Sequence, residues 1–420
     1  MVVNEKLKTV LKFMLLFSNV SLSTYFNHMQ NQRSNRIDFA NTLRGFAALA
    51  VVISHYYGVF WSSRAAVEVL TNAPMLPFET HAIPIYVSLL NFFPLFNWGA
   101  YGVALFFIIS GFVIPFSLQK TTWSGFTINR MLRIVPTYIV GFSITLGAIL
   151  ISSHYFSREW PFTAQEVLIH YIPGVRDLLW SRGIDGIVWT LEIEMKFYFV
   201  CALLIVLFRK QSTMVFLAPI FIFIASVVIN RYIPDWGKSD ARLWQLAMTF
   251  MTVSQYFIYM FIGVVFHYVQ CGRIERDKAY LLIGVIFCLF CLHWYIGPAA
   301  AGITVAWSYA FALLTFIFAF TYQDFFKSNK FFDFLADISY PLYVIHGVAG
   351  YVALRILLDL GMKAWVSLLI VTSGCIFLSW VLHKLVEKPS QRVGKKLAGY
   401  FFIKKDEGRV STDVAVSNSN

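Results

Sequence analysis

Charged side chains are scarce for a chain of this length. Only 13% of the 420 residues are Asp, Glu, Lys or Arg, whereas 58% are hydrophobic, and the mean hydropathy is +0.65. A soluble chain of this length usually divides into two or three domains, each with a polar surface that so few charges cannot supply. The scarcity therefore excludes a soluble protein and predicts a polytopic membrane protein.

Cysteine is also scarce, and its spacing does not suggest a metal site. The five cysteines lie within or at the edge of apolar segments, with no second Cys pair and no paired His at ligand spacing. Cys288 and Cys291 are most simply small apolar residues of one helix. We therefore predict no metal site.

Positive charge is in excess, at +12, but it is dispersed along the chain. A nucleic-acid-binding protein collects its Lys and Arg residues in one block or along one stripe. Here the basic residues lie between the apolar stretches. We predict that the chain binds no nucleic acid and that it is embedded in a lipid bilayer.

Ten apolar stretches can each cross a bilayer as a helix, which predicts an all-α bundle of about ten transmembrane helices. The chain then divides into a cytoplasmic leader at 1–42, a membrane domain at 43–386 and a cytoplasmic tail at 387–420. The end of the tail is polar and lacks aromatics, so the tail is predicted to be disordered. The predicted spans are 43–62, 98–119, 134–156, 187–208, 214–233, 254–271, 279–296, 299–322, 338–358 and 364–386.

The loops between these spans differ in positive charge. With ten spans, the segments on one side of the membrane carry 22 Lys and Arg residues and those on the other side carry seven. Cytoplasmic loops hold the excess of Lys and Arg in membrane proteins. Both termini are therefore predicted to be cytoplasmic.

The first span carries two residues that are costly in a membrane, Arg44 and His55. The eleven steps between them turn a helix by about 1100°, so both side chains lie on one face, roughly 16 Å apart along the axis. An ionisable face normally turns toward protein or a water-filled cavity. This face is predicted to form part of a site, with His55 in the outer half of the membrane.

The fourth span contains a second candidate group, Glu194. Glu192 can pair with Lys196 one turn later, which leaves Glu194 without a local cation on a stripe with Thr190 and Tyr198. Glu194 also lies at a depth similar to that of His55. It is therefore the better carboxylate for a site.

Two further clusters face the predicted cytoplasmic side. Arg130 and Arg133 are neighbours at a predicted helix start, with Pro136 tolerated in the first turn. Beside Arg44 they would form a phosphate receptor, although ordinary positive-inside anchoring explains them equally well. In the ninth span Tyr343 and His346 recur on one face, where His346 is either a site residue or a hydrogen-bonded packing residue.

Six motifs in this order resemble the membrane-bound acyltransferase family three, over roughly residues 36–392. They are Arg44 with His55 after ten intervening residues, GVALFFIISGF in span 2, RMLRIVPTY around Arg130 and Arg133, WTLEIEMKFY around Glu194, SYPLYVIH in span 9 and EKP at 387–389. The resemblance implies an enzyme of the bacterial inner membrane that moves an acyl group, most often acetyl, from cytoplasmic acyl-CoA to a hydroxyl of an envelope or exported glycan. Some relatives use succinyl groups or other acceptors, and no permanently bound cofactor is implied.

The resemblance also implies residue roles. His55 would be the catalytic histidine, and Arg44, Arg130 and Arg133 would serve either the phosphates of acetyl-CoA or the geometry of the site. Tyr343 and His346 match motif positions that we assign to the same co-substrate. One position departs from the family pattern, because Asn41 stands where an acidic residue is usual three places before Arg44.

For the chemistry, His55 is predicted to act as a general base on the acceptor hydroxyl, with transfer through a covalent acyl-histidine as the alternative. Glu194 is predicted to orient the imidazole of His55, as the acid of a catalytic triad does. A proton-coupled transporter or flippase is the rival class, because buried His and Glu residues also mark proton paths.

Overall fold

A computed structural model describes residues 22–91, 93, 95–119, 121–298, 302–327 and 329–399, with side chains from residue 38 onward. Within these ranges every regular element is a helix, which confirms the all-α prediction. The α-helices are α1 (Leu22–Ser54), α2 (Phe60–Ser62), α3 (Arg64–Thr71), α4 (Ile85–Leu90), α5 (Trp98–Leu118), α6 (Trp123–Tyr155), α7 (Ala164–His170), α8 (Val188–Leu203), α9 (Ile205–Arg209), α10 (Leu217–Ser239), α11 (Ala241–Gln270), α12 (Arg276–Ile296), α13 (Val305–Thr321), α14 (Lys330–Ile345), α15 (Val348–Asp359), α16 (Ala364–Leu382) and α17 (Lys388–Gly399). Short 3₁₀ helices occupy Thr213–Phe216 and Gln323–Phe326.

The described helices form a polytopic membrane bundle, as predicted. Seven helical segments of the described ranges are long and apolar enough to cross a membrane, or eight if α14 and α15, which meet at 72°, count as one bent span. Each of the ten predicted stretches overlaps a helix, including the shorter apolar helix α13. The number of crossings and the side of the termini remain predictions.

Several helices begin well before the apolar stretches that predicted them. α6 begins at Trp123 because the Thr122 side chain accepts a hydrogen bond from the Gly125 backbone N–H. Pro136 consequently lies inside α6 and not in its first turn, so that prediction is wrong. Capping side chains set these boundaries, since a helix start needs acceptors for its free N–H groups whatever its hydropathy.

The C-terminal region is more ordered than predicted. α17 continues to Gly399, so the prediction of disorder from residue 387 is wrong for Lys388–Gly399. Gly394 and Ala398 are buried in this helix, and Gly394 packs against Leu132 and Asn129 of α6. The polar composition of this segment led to the prediction of disorder. The segment is nevertheless a helix, because a helix can pack through one narrow face while the rest of its surface is polar. Residues 400–420 and the apolar run at 13–17 of the leader lie outside the described residues.

Two π-helical turns interrupt the long helices. The first spans His55–Val59 directly after α1, and the second spans His383–Glu387 between α16 and α17. A π-turn widens the helix locally, and such turns are frequent at functional sites. Each begins at a histidine.

α5 and α11 cross in backbone contact. A Cβ atom built on Gly111 would lie 2.0 Å from the Met260 carbonyl oxygen, and one on Gly263 would lie 2.1 Å from the Ile108 carbonyl oxygen. Both distances are far inside van der Waals contact, so only glycine fits at either position. Small residues let membrane helices approach this closely.

We expect Gly111→Ala to lower the stability of the bundle by about 1–3 kcal/mol, because the added methyl group must push α5 away from α11. Thermal unfolding of the purified protein in detergent measures the effect. The matched control is Gly147→Ala in α6, where the new Cβ atom meets nothing within 4 Å. Equal melting temperatures for the two variants would show that the crossing is not tightly packed.

The loop between α6 and α8 is held by a buried histidine. The His170 ring is fully buried and stacks on Phe142, with ring centroids 5.4 Å apart. The Ile184 backbone N–H donates to Nε2 at 3.0 Å, and Nδ1 lies 3.1 Å from the Glu166 carbonyl oxygen. Nδ1 therefore carries the proton, and the ring is neutral. Burial lowers the pKa of His170, although Asp185 opposes part of the shift.

Acidification should therefore weaken this loop. Because the pKa of His170 is lower in the folded than in the unfolded protein, its contribution is complete above about pH 6.5 and is lost as the pH falls below that value. The loss is at most about 1.4 kcal/mol per pH unit. We expect the melting temperature of the wild type to fall more between pH 7 and pH 5 than that of His170→Gln. Parallel pH dependence in the two proteins would contradict this assignment.

Candidate active site

A cavity of about 140 Å³, called here the main cavity, lies inside the bundle between α1, α5, α6, α8 and α14. The arginines lie at its polar end, and the remaining lining mixes apolar side chains with hydroxyl groups. The polar side chains are Asn41, Arg44, Ser110, Arg130, Arg133, Tyr138, Thr190, Glu194, Tyr198, Ser339, Tyr340 and Tyr343. Five of the seven predicted site residues therefore line one cavity.

The polar end contains the arginine cluster, defined as Arg44, Arg130 and Arg133. Arg133 lies within electrostatic range of both other guanidiniums. Arg130 is buried, donates from Nη2 to the Ser117 hydroxyl at 3.0 Å and stands over the Tyr198 ring at 5.2 Å. Three cations held this close together repel one another unless anions offset them. The cluster is thus arranged to receive negative charge.

Glu194 lies beside the arginine cluster. Its Oε1 atom accepts hydrogen bonds from the Ser110 hydroxyl at 2.7 Å and from the Tyr198 hydroxyl at 2.5 Å. It also interacts electrostatically with Arg44 and Arg130. The predicted stripe of Thr190, Glu194 and Tyr198 does line the main cavity. Glu194 offsets part of the charge of the cluster.

The predicted pairing of Glu192 with Lys196 is wrong. Glu192 instead receives two hydrogen bonds from the Arg176 guanidinium, at 2.7 and 3.0 Å. Lys196 pairs with Asp177 at 2.8 Å. Both partners, Arg176 and Asp177, lie in the loop before α8. A bidentate contact between a guanidinium and a buried carboxylate is stronger than an ion pair within one helix turn.

His55 lies at the first π-turn and does not line the main cavity. Its Nδ1 atom lies 2.5 Å from the Tyr351 hydroxyl, and the two rings stack at 5.5 Å. The predicted contact with Glu194 is not formed among the described residues, because the hydrogen bonds of Glu194 go to Ser110 and Tyr198. Tyr351, on α15, takes the place that we assigned to the carboxylate.

His346 lies against His55 and not beside the arginine cluster. The two rings meet edge to face with centroids 4.6 Å apart, and we call them the histidine pair. His346 Nδ1 lies 2.9 Å from the Leu342 carbonyl oxygen, while Nε2 is buried without a hydrogen-bond partner in the described structure. The predicted role of His346 in holding acetyl-CoA therefore fits its position less well than a role next to His55.

The histidine pair depends on the break between α14 and α15. His346 follows the last residue of α14, and its carbonyl oxygen accepts a hydrogen bond of 2.7 Å from the Tyr56 hydroxyl. Tyr343, one turn earlier, lies 2.5 Å from the Thr190 hydroxyl and closes the end of the main cavity. The 72° bend turns α15 so that Tyr351 reaches His55.

A second cavity of about 250 Å³, called here the vestibule, adjoins the polar end. It shares Asn41, Arg44 and Arg133 with the main cavity. Its remaining lining consists of Asp333, Ala336, Asp337, His383, Glu387 and Gln391. Arg44 interacts electrostatically with Glu387 of the second π-turn and with Glu194 of α8. These two carboxylates supply the negative charge near Arg44 that Asn41 lacks.

Comparison with known proteins adds a family and two partial relatives. A family model described as an acyltransferase domain matches residues 37–384. A Caenorhabditis elegans protein named Regulator of hypoxia-inducible factor 1 is 24% identical over 54% of this chain and 45% of its own length. A Rhizobium leguminosarum bv. viciae protein named Nodulation protein 10 is 28% identical over 27% of this chain and 35% of its own length. The chain thus spans less than half the length of these curated relatives, and no solved structure matches it.

Proposed function

We propose that this chain, which belongs to the acyltransferase family three through a domain at residues 37–384, is a membrane acyltransferase. It would move an acetyl group from acetyl-CoA to a hydroxyl of an envelope or exported glycan. Acetyl-CoA is a co-substrate in this proposal and not a resident cofactor. The enzyme would work in the bacterial inner membrane with both termini in the cytoplasm, as the distribution of Lys and Arg favours. The acyl group and the acceptor are the parts that need direct tests.

One observation carries the proposal, namely the order of charged and titratable groups through the bundle. Arg44 and Arg133 line the main cavity where it meets the vestibule. Tyr343 also lines the main cavity, and its ring centroid lies 5.7 Å from that of His346 in the histidine pair. Coenzyme A has the same order, with phosphates at one end, a thin pantetheine arm and a thioester at the tip. The guanidinium groups of arginine can form bidentate hydrogen bonds with the phosphates, and an imidazole can accept and return the proton of the reaction.

In the proposed reaction, His55 takes the proton of the acceptor hydroxyl while the oxygen attacks the thioester carbonyl carbon. The carbon–sulfur bond breaks, and the thiolate of coenzyme A leaves and takes the proton back from the imidazolium. Tyr351 holds the His55 ring in position through Nδ1. In the alternative route His55 attacks the thioester carbonyl carbon and coenzyme A leaves as the thiolate. The acceptor oxygen then attacks the acetyl-histidine, the carbon–nitrogen bond breaks, and the hydroxyl proton passes to the thiolate.

A direct test uses proteoliposomes containing the purified protein, labelled acetyl-CoA and an envelope glycan fraction. We expect the label to appear on the glycan, and mass spectrometry of envelope glycans with and without the gene should show an acetyl mass that is lost with it. A lost succinyl mass would change the donor. Glycans with identical masses, together with no labelled product, would overturn the proposal.

A proton-coupled transporter or flippase is the second candidate, and the break between α14 and α15 is the observation that favours it. Transporters place their sites at interrupted helices, and His346 lies at this interruption. Proteoliposomes separate the two classes. Acyl transfer without movement of the glycan supports the enzyme, whereas uptake of the glycan without acyl-CoA supports the transporter.

A further inference from the structure

The vestibule contains a buried histidine nitrogen that makes no hydrogen bond in the described structure. The His383 side chain is only 9% exposed, and its Nδ1 atom lies 2.8 Å from Glu387 Oε2. Because a carboxylate oxygen only accepts, Nδ1 donates to Glu387, and in the neutral imidazole Nε2 is then a hydrogen-bond acceptor. Nε2 makes no hydrogen bond in the described residues and lies 3.9 Å from the nearest oxygen of Asp337. A ligand that donates a hydrogen bond is what this atom lacks.

The charges of the vestibule do not suit an anion. Three carboxylates, from Asp333, Asp337 and Glu387, face two guanidiniums, from Arg44 and Arg133. The guanidiniums lie on the border with the main cavity, and the carboxylates lie in the vestibule alone. Phosphate is therefore favoured at the border and disfavoured deeper in the vestibule. A neutral group with N–H donors suits the carboxylates and His383.

Adenine is such a group, and its place in coenzyme A matches this arrangement. Its exocyclic amino group supplies two donors, and its ring nitrogens accept. Along coenzyme A the order is adenine, the ribose 3′-phosphate and 5′-diphosphate, pantetheine and thioester. Along the protein the order is vestibule, Arg44 with Arg133, main cavity and histidine pair. The two orders coincide without any rearrangement.

We propose that the vestibule binds the adenine ring of the acyl donor, with His383 Nε2 accepting a hydrogen bond from the amino group. The inference rests on the proposed function, because it assigns one end of the same coenzyme. Glu387 positions His383 by accepting from Nδ1, and Gln391 supports Glu387 through a hydrogen bond of 2.8 Å to its other oxygen. An acyl donor without adenine would contact only Arg44, Arg133 and the main cavity.

The test measures binding, which needs no acceptor. Purified wild type and His383→Leu are titrated with coenzyme A, with adenosine 3′,5′-bisphosphate and with 4′-phosphopantetheine. Loss of one hydrogen bond to a buried group corresponds to about a tenfold change in affinity. We expect His383→Leu to weaken coenzyme A and the bisphosphate by about tenfold and to leave phosphopantetheine unchanged. His154→Leu, at an exposed residue of α6, is the matched control.

A change in the ligand guards against misfolding of the variant. Coenzyme A with hypoxanthine in place of adenine lacks the amino group, so it should bind the wild type about tenfold more weakly than coenzyme A. Equal binding of the two forms, or an equal loss for phosphopantetheine in His383→Leu, would overturn the inference and leave the proposed function standing. A wild type that binds neither coenzyme A nor its fragments would overturn the proposed function and the inference with it.

Discussion

Replacing His55 by Asn should lower kcat for acetyl transfer by about 10²–10⁴-fold, which is the usual contribution of a positioned general base. Asn is smaller than His and keeps a polar atom near the position of Nδ1, which can contact Tyr351. The variant should therefore fold, and the KM for acetyl-CoA should change little because the arginine cluster is intact. Initial rates with purified protein at saturating acceptor measure the effect.

The control for His55 is His154→Asn, an exposed histidine near the end of α6. If His55→Asn transferred acetyl groups at the wild-type rate, both the general-base and the acyl-histidine mechanisms would be lost. If activity falls as expected, a brief reaction with labelled donor and no acceptor separates the mechanisms. Label retained on the wild type and absent from the variant indicates the covalent route.

Removal of Arg133 should raise the KM for acetyl-CoA by about ten- to a hundredfold, because hydrogen bonds to charged groups are worth about 1.5–3 kcal/mol. Arg133 lines both the main cavity and the vestibule. Arg130→Ala should have a smaller effect, since Arg130 already donates to Ser117. At saturating donor, kcat should change little in either variant, because the reacting atoms lie near the histidine pair.

Two further variants make this expectation specific. Arg133→Lys keeps the charge and loses the planar fork, so it should recover only part of the affinity for acetyl-CoA. Lys278→Ala removes an exposed cation that pairs with Glu275, and it should leave the KM unchanged. If Arg133→Ala had the same donor dependence as Lys278→Ala, the arginines would be topological anchors and not phosphate ligands.

Local sequence patterns predicted the class of fold and the contents of the main cavity. Hydropathy located the apolar stretches, and helical periodicity placed Arg130 with Arg133 and Glu194 with Tyr198. These features involve residues within a few turns of one helix. The spacing of such residues in the sequence determines which side chains lie on the same face. Grouping Arg44 of α1 with the two arginines of α6 required a long-range inference. It rested on the prediction that all three lie near the cytoplasmic side of the membrane.

The partners of the ionisable groups were not predictable in the same way. His55 and Tyr351 are 296 residues apart, and their contact requires the bend between α14 and α15. No local pattern marks Tyr351, since its role depends on where α15 points. Glu192 likewise prefers Arg176 to its neighbour in the same helix. Tertiary packing determines each of these contacts. The bend occurs at Gly347, where no proline marks a break in the sequence.

The two π-turns affect how this chain should be aligned with others. Each holds one more residue than an α-helical turn, so residues before and after it belong to different helical frames, offset by about 100°. A homologue without the turn at 383–387 would need a gap of one residue there to keep Gly394 facing α6. Deleting Leu385, which is 72% exposed, mimics that homologue. Without the gap, an alignment would match His383 correctly and misplace every residue of α17.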